Sequence, residues 1–146
     1  MSVTSTDQSE RPAALHSRDC HTARFTTHWP DATVGIITVQ GELDASNSAA
    51  FADHVDECAA AGTHLVLDLS PLQFFGTAGF SALHTINVRC ANASSRWAMV
   101  TGDAVSRLLR VCDPDHTLPV ADSIVEAIAL LDGEPRRLLQ LVAEPR

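Results

Sequence analysis

The sequence predicts a small α/β domain: a mostly parallel sheet of four or five strands, opened by an N-terminal hairpin and packed against four helices. Short β-branched or apolar segments alternate with segments whose apolar residues recur every three or four positions. Such alternation is typical of βαβ crossover units. The 146 residues are the length of one domain, and a hydrophobic content of 45% is enough for a core.

The chain divides into a tail, a domain and an extension. Residues 1–20 combine Ser, Thr, Asp, Arg and Pro with little periodicity, which predicts a disordered N-terminal tail. The domain is expected over residues 21–132. Residues 133–146 form a C-terminal extension that either adds a short helix or stays unstructured.

The first half of the domain predicts a hairpin followed by a helix. Residues 21–29 alternate weakly and residues 33–40 are β-branched and apolar, so the turn signal at Pro30 between them indicates two antiparallel strands. The apolar stripe of the first helix is then expected at Phe51, Val55, Cys58 and Ala59.

The second half continues the alternation. The apolar run over residues 64–69 predicts a strand buried on both faces, and further strands are expected over residues 96–101 and 117–120. Three more helices are predicted from apolar stripes at Leu83, Ile86 and Cys90, at Val105, Leu108, Leu109 and Cys112, and at Ile124, Ile128 and Leu131.

The charge composition narrows the class of partner. Eighteen acidic and ten basic residues give a net charge of −8, so we expect neither a nucleic acid nor a membrane as partner. All ten basic residues are arginine, which excludes a P-loop lysine and a Schiff-base lysine. The polar start and the lack of a long apolar run predict a soluble, cytoplasmic protein.

Two motifs follow the predicted strands. One is Gly41-Glu42-Leu43-Asp44, and the other is Asp68-Leu69-Ser70 followed by Phe74-Phe75-Gly76-Thr77-Ala78-Gly79. With the surrounding order of strands and helices, they resemble the STAS domain of anti-sigma factor antagonists over roughly residues 21–132.

This resemblance implies a binding protein rather than an enzyme, without cofactor or catalytic residues. Such a protein binds an anti-sigma factor of kinase-like fold and so frees a sigma factor, which regulates transcription, for instance in a stress response. We expect a monomer or a weak dimer.

The resemblance also implies a phosphorylation switch at the start of the second helix. In the family the phosphorylated hydroxyl usually comes immediately before a glycine, but that position here is Ala78, and Gly76 replaces an acidic residue. Thr77 carries the only hydroxyl of this turn. Three hypotheses follow: Thr77 is a displaced phosphoacceptor, the chain is always competent to bind, or control comes from elsewhere. In its simplest role Thr77 caps the helix.

We expect the partner surface to combine the Asp44 loop, the first helix and the start of the second helix. Its predicted contacts are Asp44, Gly76, Thr77, Ala78, Gly79 and Ser81. Residues 41–70 contain six acids and no arginine, so this surface would attract an arginine-bearing partner; an ordinary solvated face is the alternative.

Cys58, Cys90 and Cys112 fall near the C-terminal ends of the predicted helices. These ends share the sheet edge opposite Thr77, so a disulfide switch there is conceivable. Apolar stripes and helix C-termini, however, favour buried and unreactive thiols. The sequence has no C-x-x-C pair and no histidines at metal-ligand spacing, so we expect no metal site.

Two other functions compete with the first. One is a STAS-type sensor module that binds a nucleotide or small ligand near the Gly41 and Thr77 loops. The other is a small hydrolase with Ser81 as nucleophile, although the segment that starts at Gly79 lacks the second glycine of a nucleophile elbow.

Overall fold

A computed structural model describes residues 15–132, which form a seven-stranded sheet with helices on both faces. The strands are β1 (Leu15–Cys20), β2 (Ala23–His28), β3 (Val34–Leu43), β4 (His64–Asp68), β5 (Leu72–Phe75), β6 (Arg96–Val100) and β7 (Val120–Ala121). The helices are α1 (Ser48–Cys58), α2 (Thr77–Asn92), α3 (Asp103–Cys112) and α4 (Ile124–Asp132).

The sheet is mixed, with the strand order β1-β2-β3-β4-β6-β7. The pairs β1–β2 and β2–β3 are antiparallel, whereas β3–β4, β4–β6 and β6–β7 are parallel. β5 pairs in parallel with the C-terminal end of β3. The α/β class, the opening hairpin and the four helices are therefore confirmed, but the sheet has seven strands rather than four or five.

The strand β1 lies in the stretch that the sequence assigned to a disordered tail, so that prediction is wrong for residues 15–20. Its side chains are almost all exposed and carry no apolar pattern. Pairing with β2 holds it in place, assisted by the ion pairs Arg18–Glu57 at 3.2 Å and Arg24–Asp19 at 2.7 Å. Residues 1–14 and 133–146, including the predicted C-terminal extension, lie outside the described residues.

The last strand is shorter than the predicted 117–120 and covers only Val120–Ala121. The carboxylate of Asp113 accounts for the difference, since it accepts hydrogen bonds from the Thr117 amide at 3.0 Å, the Thr117 hydroxyl at 2.7 Å and the Leu118 amide at 3.2 Å. These bonds hold residues 117–118 as a loop, because Asp side chains compete with sheet pairing for nearby amides.

Successive side chains of the central strands point to opposite faces of the sheet, so the core is divided between these two faces. Leu65 and Leu67 of β4 belong to the larger cluster, which includes the apolar faces of α1, α2 and α3. Val66 belongs to a smaller cluster with α4. Because three helices cover the same face and each follows a parallel strand, their N-termini meet at one edge of the sheet.

Gly41 lies where the β3–β5 register shifts, near the end of β3. It has a φ of +94°, and a Cβ atom placed on it would be 2.1 Å from the Thr22 carbonyl oxygen. This position therefore requires glycine for two reasons, backbone conformation and close approach.

We expect Gly41→Ala to destabilise the fold by about 3 kcal/mol or more, because backbone strain and steric overlap add. Gly62→Ala is the matched control: its φ is +85° but no atom lies within 4 Å of the added Cβ. That control should cost only about 1–2 kcal/mol. Urea unfolding of both variants measures the difference, and equal losses would contradict the close approach of Thr22.

Candidate functional site

The two sequence motifs meet at the edge where the helices start. β3 ends at Leu43 and α2 starts at Thr77, and the Leu43 carbonyl accepts a hydrogen bond from the Gly76 amide at 3.0 Å. This bond joins the Asp44 loop to the start of α2. The structure therefore brings both segments to one edge of the sheet, and their role as a partner surface stays a prediction.

Local hydrogen bonds orient the carboxylate of Asp44. Its Oδ1 atom accepts from the Ser46 amide at 2.9 Å and from the Ser46 hydroxyl at 2.6 Å. These bonds lower the pKa of Asp44, with a smaller contribution from the charge of His21. Asp44 therefore presents a negative charge at neutral pH, and its Oδ2 atom makes no hydrogen bond to the described residues.

Gly76, not Thr77, is the N-cap of α2. Its carbonyl accepts from the Gly79 amide at 2.9 Å and from the Phe80 amide at 3.3 Å, and no side chain caps the helix. The predicted capping role of Thr77 is wrong, because the helix already begins at Thr77 and the capping position is one residue before it. Thr77 is the first helical residue and is exposed to solvent.

Two phenylalanine rings explain why glycines flank this turn. A Cβ on Gly79 would be 2.5 Å from Phe75 Cε1, and a Cβ on Gly76 would be 3.2 Å from Phe74 Cε2. Gly79 is buried, so it brings the first turn of α2 close to β5. Gly76 is half-buried under the ring of Phe74, which is 50% exposed.

A groove of about 410 Å³ runs between α1 and α2. It contains two of the predicted contacts, Ala78 and Ser81, but Thr77 is absent from its lining. At one end the Arg89 guanidinium donates to the Asp53 carboxylate at 2.9 Å and links the helices. The groove exists because small side chains face each other across the helices, at Ala45, Ser48, Ala49, Ala52, Ala78, Ser81, Ala82 and Thr85.

Sequence reasoning missed the groove, although its signal was present. Ala45, Ala49 and Ala52 have the spacing of one helical face, as do Ala78, Ala82 and Thr85. Stripes of large apolar residues indicate the core, whereas these stripes of small residues indicate where a groove remains between the two helices.

The acidic surface is smaller than residues 41–70 suggest. Asp53 pairs with Arg89 of α2, and Glu57 pairs with Arg18 of β1. Asp68 Oδ1 accepts from the Ser70 amide at 3.1 Å and the Ser70 hydroxyl at 2.7 Å. The arginines come from outside the segment, so the count of acids overstated the free negative charge.

The cysteines lie at the opposite ends of the helices, as predicted. Cys58 and Cys112 are the last residues of α1 and α3, and Cys90 lies two residues before the end of α2. All three thiols are free. Burial is the main cause that raises the pKa of Cys58 and Cys90 to about 11, so both are poor nucleophiles at neutral pH.

The remaining candidate sites gain no geometric support. Ser81 is exposed on α2, and within residues 15–132 no hydrogen bond joins its hydroxyl to a histidine. The same part of the chain brings no three His, Cys, Asp or Glu side chains together in a way that could hold a metal ion. None of the helices between residues 15 and 132 has the length and apolar character to cross a membrane.

Sequence comparison links the chain to known proteins. A family model described as the STAS domain matches residues 30–127. Osmosensory protein A of Mycobacterium tuberculosis is 34% identical over 111 residues, which cover 73% of this chain and 70% of that protein. The anti-sigma-F factor antagonist RsfB of Mycobacterium tuberculosis is 24% identical over 101 residues, which cover 68% of this chain and 83% of that protein.

Solved structures share the fold. An anti-sigma factor antagonist from Mycobacterium paratuberculosis superposes with a TM-score of 0.64 at 20% identity, covering 84% of this chain and 98% of that chain. The anti-sigma factor antagonist SpoIIAA in its unphosphorylated form superposes with a TM-score of 0.59 at 16% identity, covering 71% of this chain and 92% of that chain.

We expect the alkylation rate of Cys58 and Cys90 by iodoacetamide to rise about tenfold per pH unit from pH 7.5 to 9.5, since the thiolate fraction rises throughout that range when the pKa is about 11. Mass spectrometry of each cysteine peptide over time measures the rate. In the urea-unfolded chain the rate should rise less steeply above about pH 9, where an unburied thiol is half ionised. The same flattening in the folded protein would contradict the effect of burial.

Proposed function

The chain belongs to the STAS domain family, and from that premise we propose that it is an anti-sigma factor antagonist. It binds an anti-sigma factor of kinase-like fold, releases a sigma factor and catalyses no reaction. The observation that carries this proposal is the continuous surface at one sheet edge, where the Asp44 loop, the start of α2 and the α1–α2 groove adjoin. The relative RsfB and both solved structures bear the name of this function.

The groove and Asp44 supply different parts of the binding energy. The small side chains of the groove leave about 410 Å³, which can accept large side chains of a partner and remove them from water. The ionised Asp44, with Oδ2 free of bonds to the described residues, offers an acceptor to a basic group. Together they fit a partner segment that combines an apolar anchor with a lysine or arginine.

Ala78 lies where a negative charge would interfere most. It lines the groove at the position where the family usually has its phosphorylated hydroxyl, and it cannot accept phosphate. We therefore propose that the groove of this chain stays open to the partner without dephosphorylation at residue 78. Thr77, exposed beside the groove, is the remaining hydroxyl through which a phosphate could affect docking.

We expect Ala78→Asp to weaken binding of the anti-sigma factor at least about a hundredfold, because it places a charge inside the groove that docking must desolvate. The fold should be retained, since acids are favourable in the first turn of a helix. Isothermal titration calorimetry measures the affinity, after the partner has been captured from the host with the wild-type chain as bait.

Val88→Asp is the matched control for this variant. Val88 is exposed on α2 and lies outside the groove, and its replacement by Asp introduces the same charge as Ala78→Asp. It should bind like the wild type. Equal affinities for the Ala78→Asp and wild-type chains would contradict docking in the groove, and failure of the wild type to capture any anti-sigma factor would overturn the proposed function.

We expect Thr77→Glu to weaken binding less than Ala78→Asp does, by about tenfold, because Thr77 is exposed and outside the groove lining. Thr77→Gln keeps the size without the charge and should bind like the wild type. The same titration measures both variants. If Thr77→Glu binds as tightly as Thr77→Gln, phosphate at residue 77 is no switch.

A further inference from the structure

The β1–β2 hairpin reaches the same edge as the docking surface, although the family match begins only at residue 30. We propose that the hairpin tip, formed by His21 and Thr22, is an additional wall of that surface, and that His21 sets the charge that a basic partner group meets beside Asp44. This inference rests on the proposed function and adds a specificity element to it.

The tip is fastened to the strand that leads into the Asp44 loop. The Glu42 amide donates to the Thr22 carbonyl at 3.1 Å, and the Thr22 hydroxyl donates to the Glu42 carbonyl at 3.2 Å. The close approach of Thr22 to Gly41 belongs to the same contact. The tip and the end of β3 therefore form one unit.

Asn47 adds a second connection. Its buried side chain donates from Nδ2 to the Cys20 carbonyl at 3.2 Å and to the Glu42 carbonyl at 2.9 Å, while its Oδ1 accepts from the Asp44 amide at 2.9 Å. One side chain thus links the last residue of β1, the end of β3 and the Asp44 backbone. A partner that contacts Asp44 meets a hairpin whose position is fixed relative to that carboxylate.

The tip is polar and its free charge is small. His21 is exposed with a φ of +55°, and it lines a shallow concavity of about 290 Å³ with Asp19, Arg24 and Gln40. Asp19 and Arg24 pair with each other at 2.7 Å and so largely cancel. Asp44, His21 and the exposed Glu42 therefore determine the charge that a partner meets at this corner, where the hairpin tip adjoins the Asp44 loop.

The sign of that charge determines whether a basic or an acidic side chain of the partner is attracted. The Asn47 hydrogen bonds place the hairpin tip beside Asp44. Hydrogen bonds from Ser46 and, to a smaller extent, the charge of His21 lower the pKa of Asp44. Without a positive charge at residue 21 the corner attracts a lysine or arginine through its acidic side chains. A fixed positive charge at residue 21 opposes this attraction, and a negative charge reinforces it.

The test compares His21→Arg and His21→Glu in titrations against the captured anti-sigma factor at low salt. We expect His21→Arg to weaken binding about tenfold and His21→Glu to strengthen it about threefold, with both effects reduced at about 0.5 M salt. His16→Arg and His16→Glu change the net charge equally but lie on β1, five residues before His21, and should shift the affinity by less than about twofold.

The outcomes separate the two proposals. If the wild type binds and the His21 variants shift the affinity no more than the His16 variants do, the tip lies outside the docking surface and only this inference is overturned. If the wild type binds no anti-sigma factor, the proposed function and this inference both fail. Thermal unfolding of each variant verifies that the affinity changes arise in a folded chain.

Discussion

The candidate site depends on β3 and on the parallel pairing of its two halves. The first half of β3 pairs with β4, and its end pairs with β5, which leads directly into α2. The Leu43 carbonyl then accepts the Gly76 amide, so the end of β3 and the start of α2 are held together by a backbone bond. Residues that are more than thirty positions apart in the chain reach one surface because of this pairing.

The elements that bury large apolar residues could be predicted from the sequence. The stripes of α1 to α4 and the apolar runs of β3, β4 and β6 predicted the α/β class and the edge that carries the site. β1 and β5 were missed because backbone pairing and ion pairs, rather than an apolar pattern, hold β1, and β5 has only four residues.

The site could be predicted only in outline. The motifs located Asp44 and the start of α2, but the N-cap was assigned to Thr77 because hydroxyl side chains commonly cap helices, whereas Gly76 occupies that position. The free negative charge was overestimated because tertiary ion pairs reduce it. Arg18 and Arg89, which neutralise Glu57 and Asp53, are distant from them in the sequence.

Amide hydrogen exchange of the chain, with and without the anti-sigma factor proposed as its partner, measures whether that partner docks on the edge where the helices start. Docking there should slow exchange over residues 42–49 and 76–82, and leave residues 58–62 and 90–95 at the opposite ends of α1 and α2 unchanged. Protection confined to those opposite ends, or to α4 on the other face of the sheet, would contradict docking at this edge.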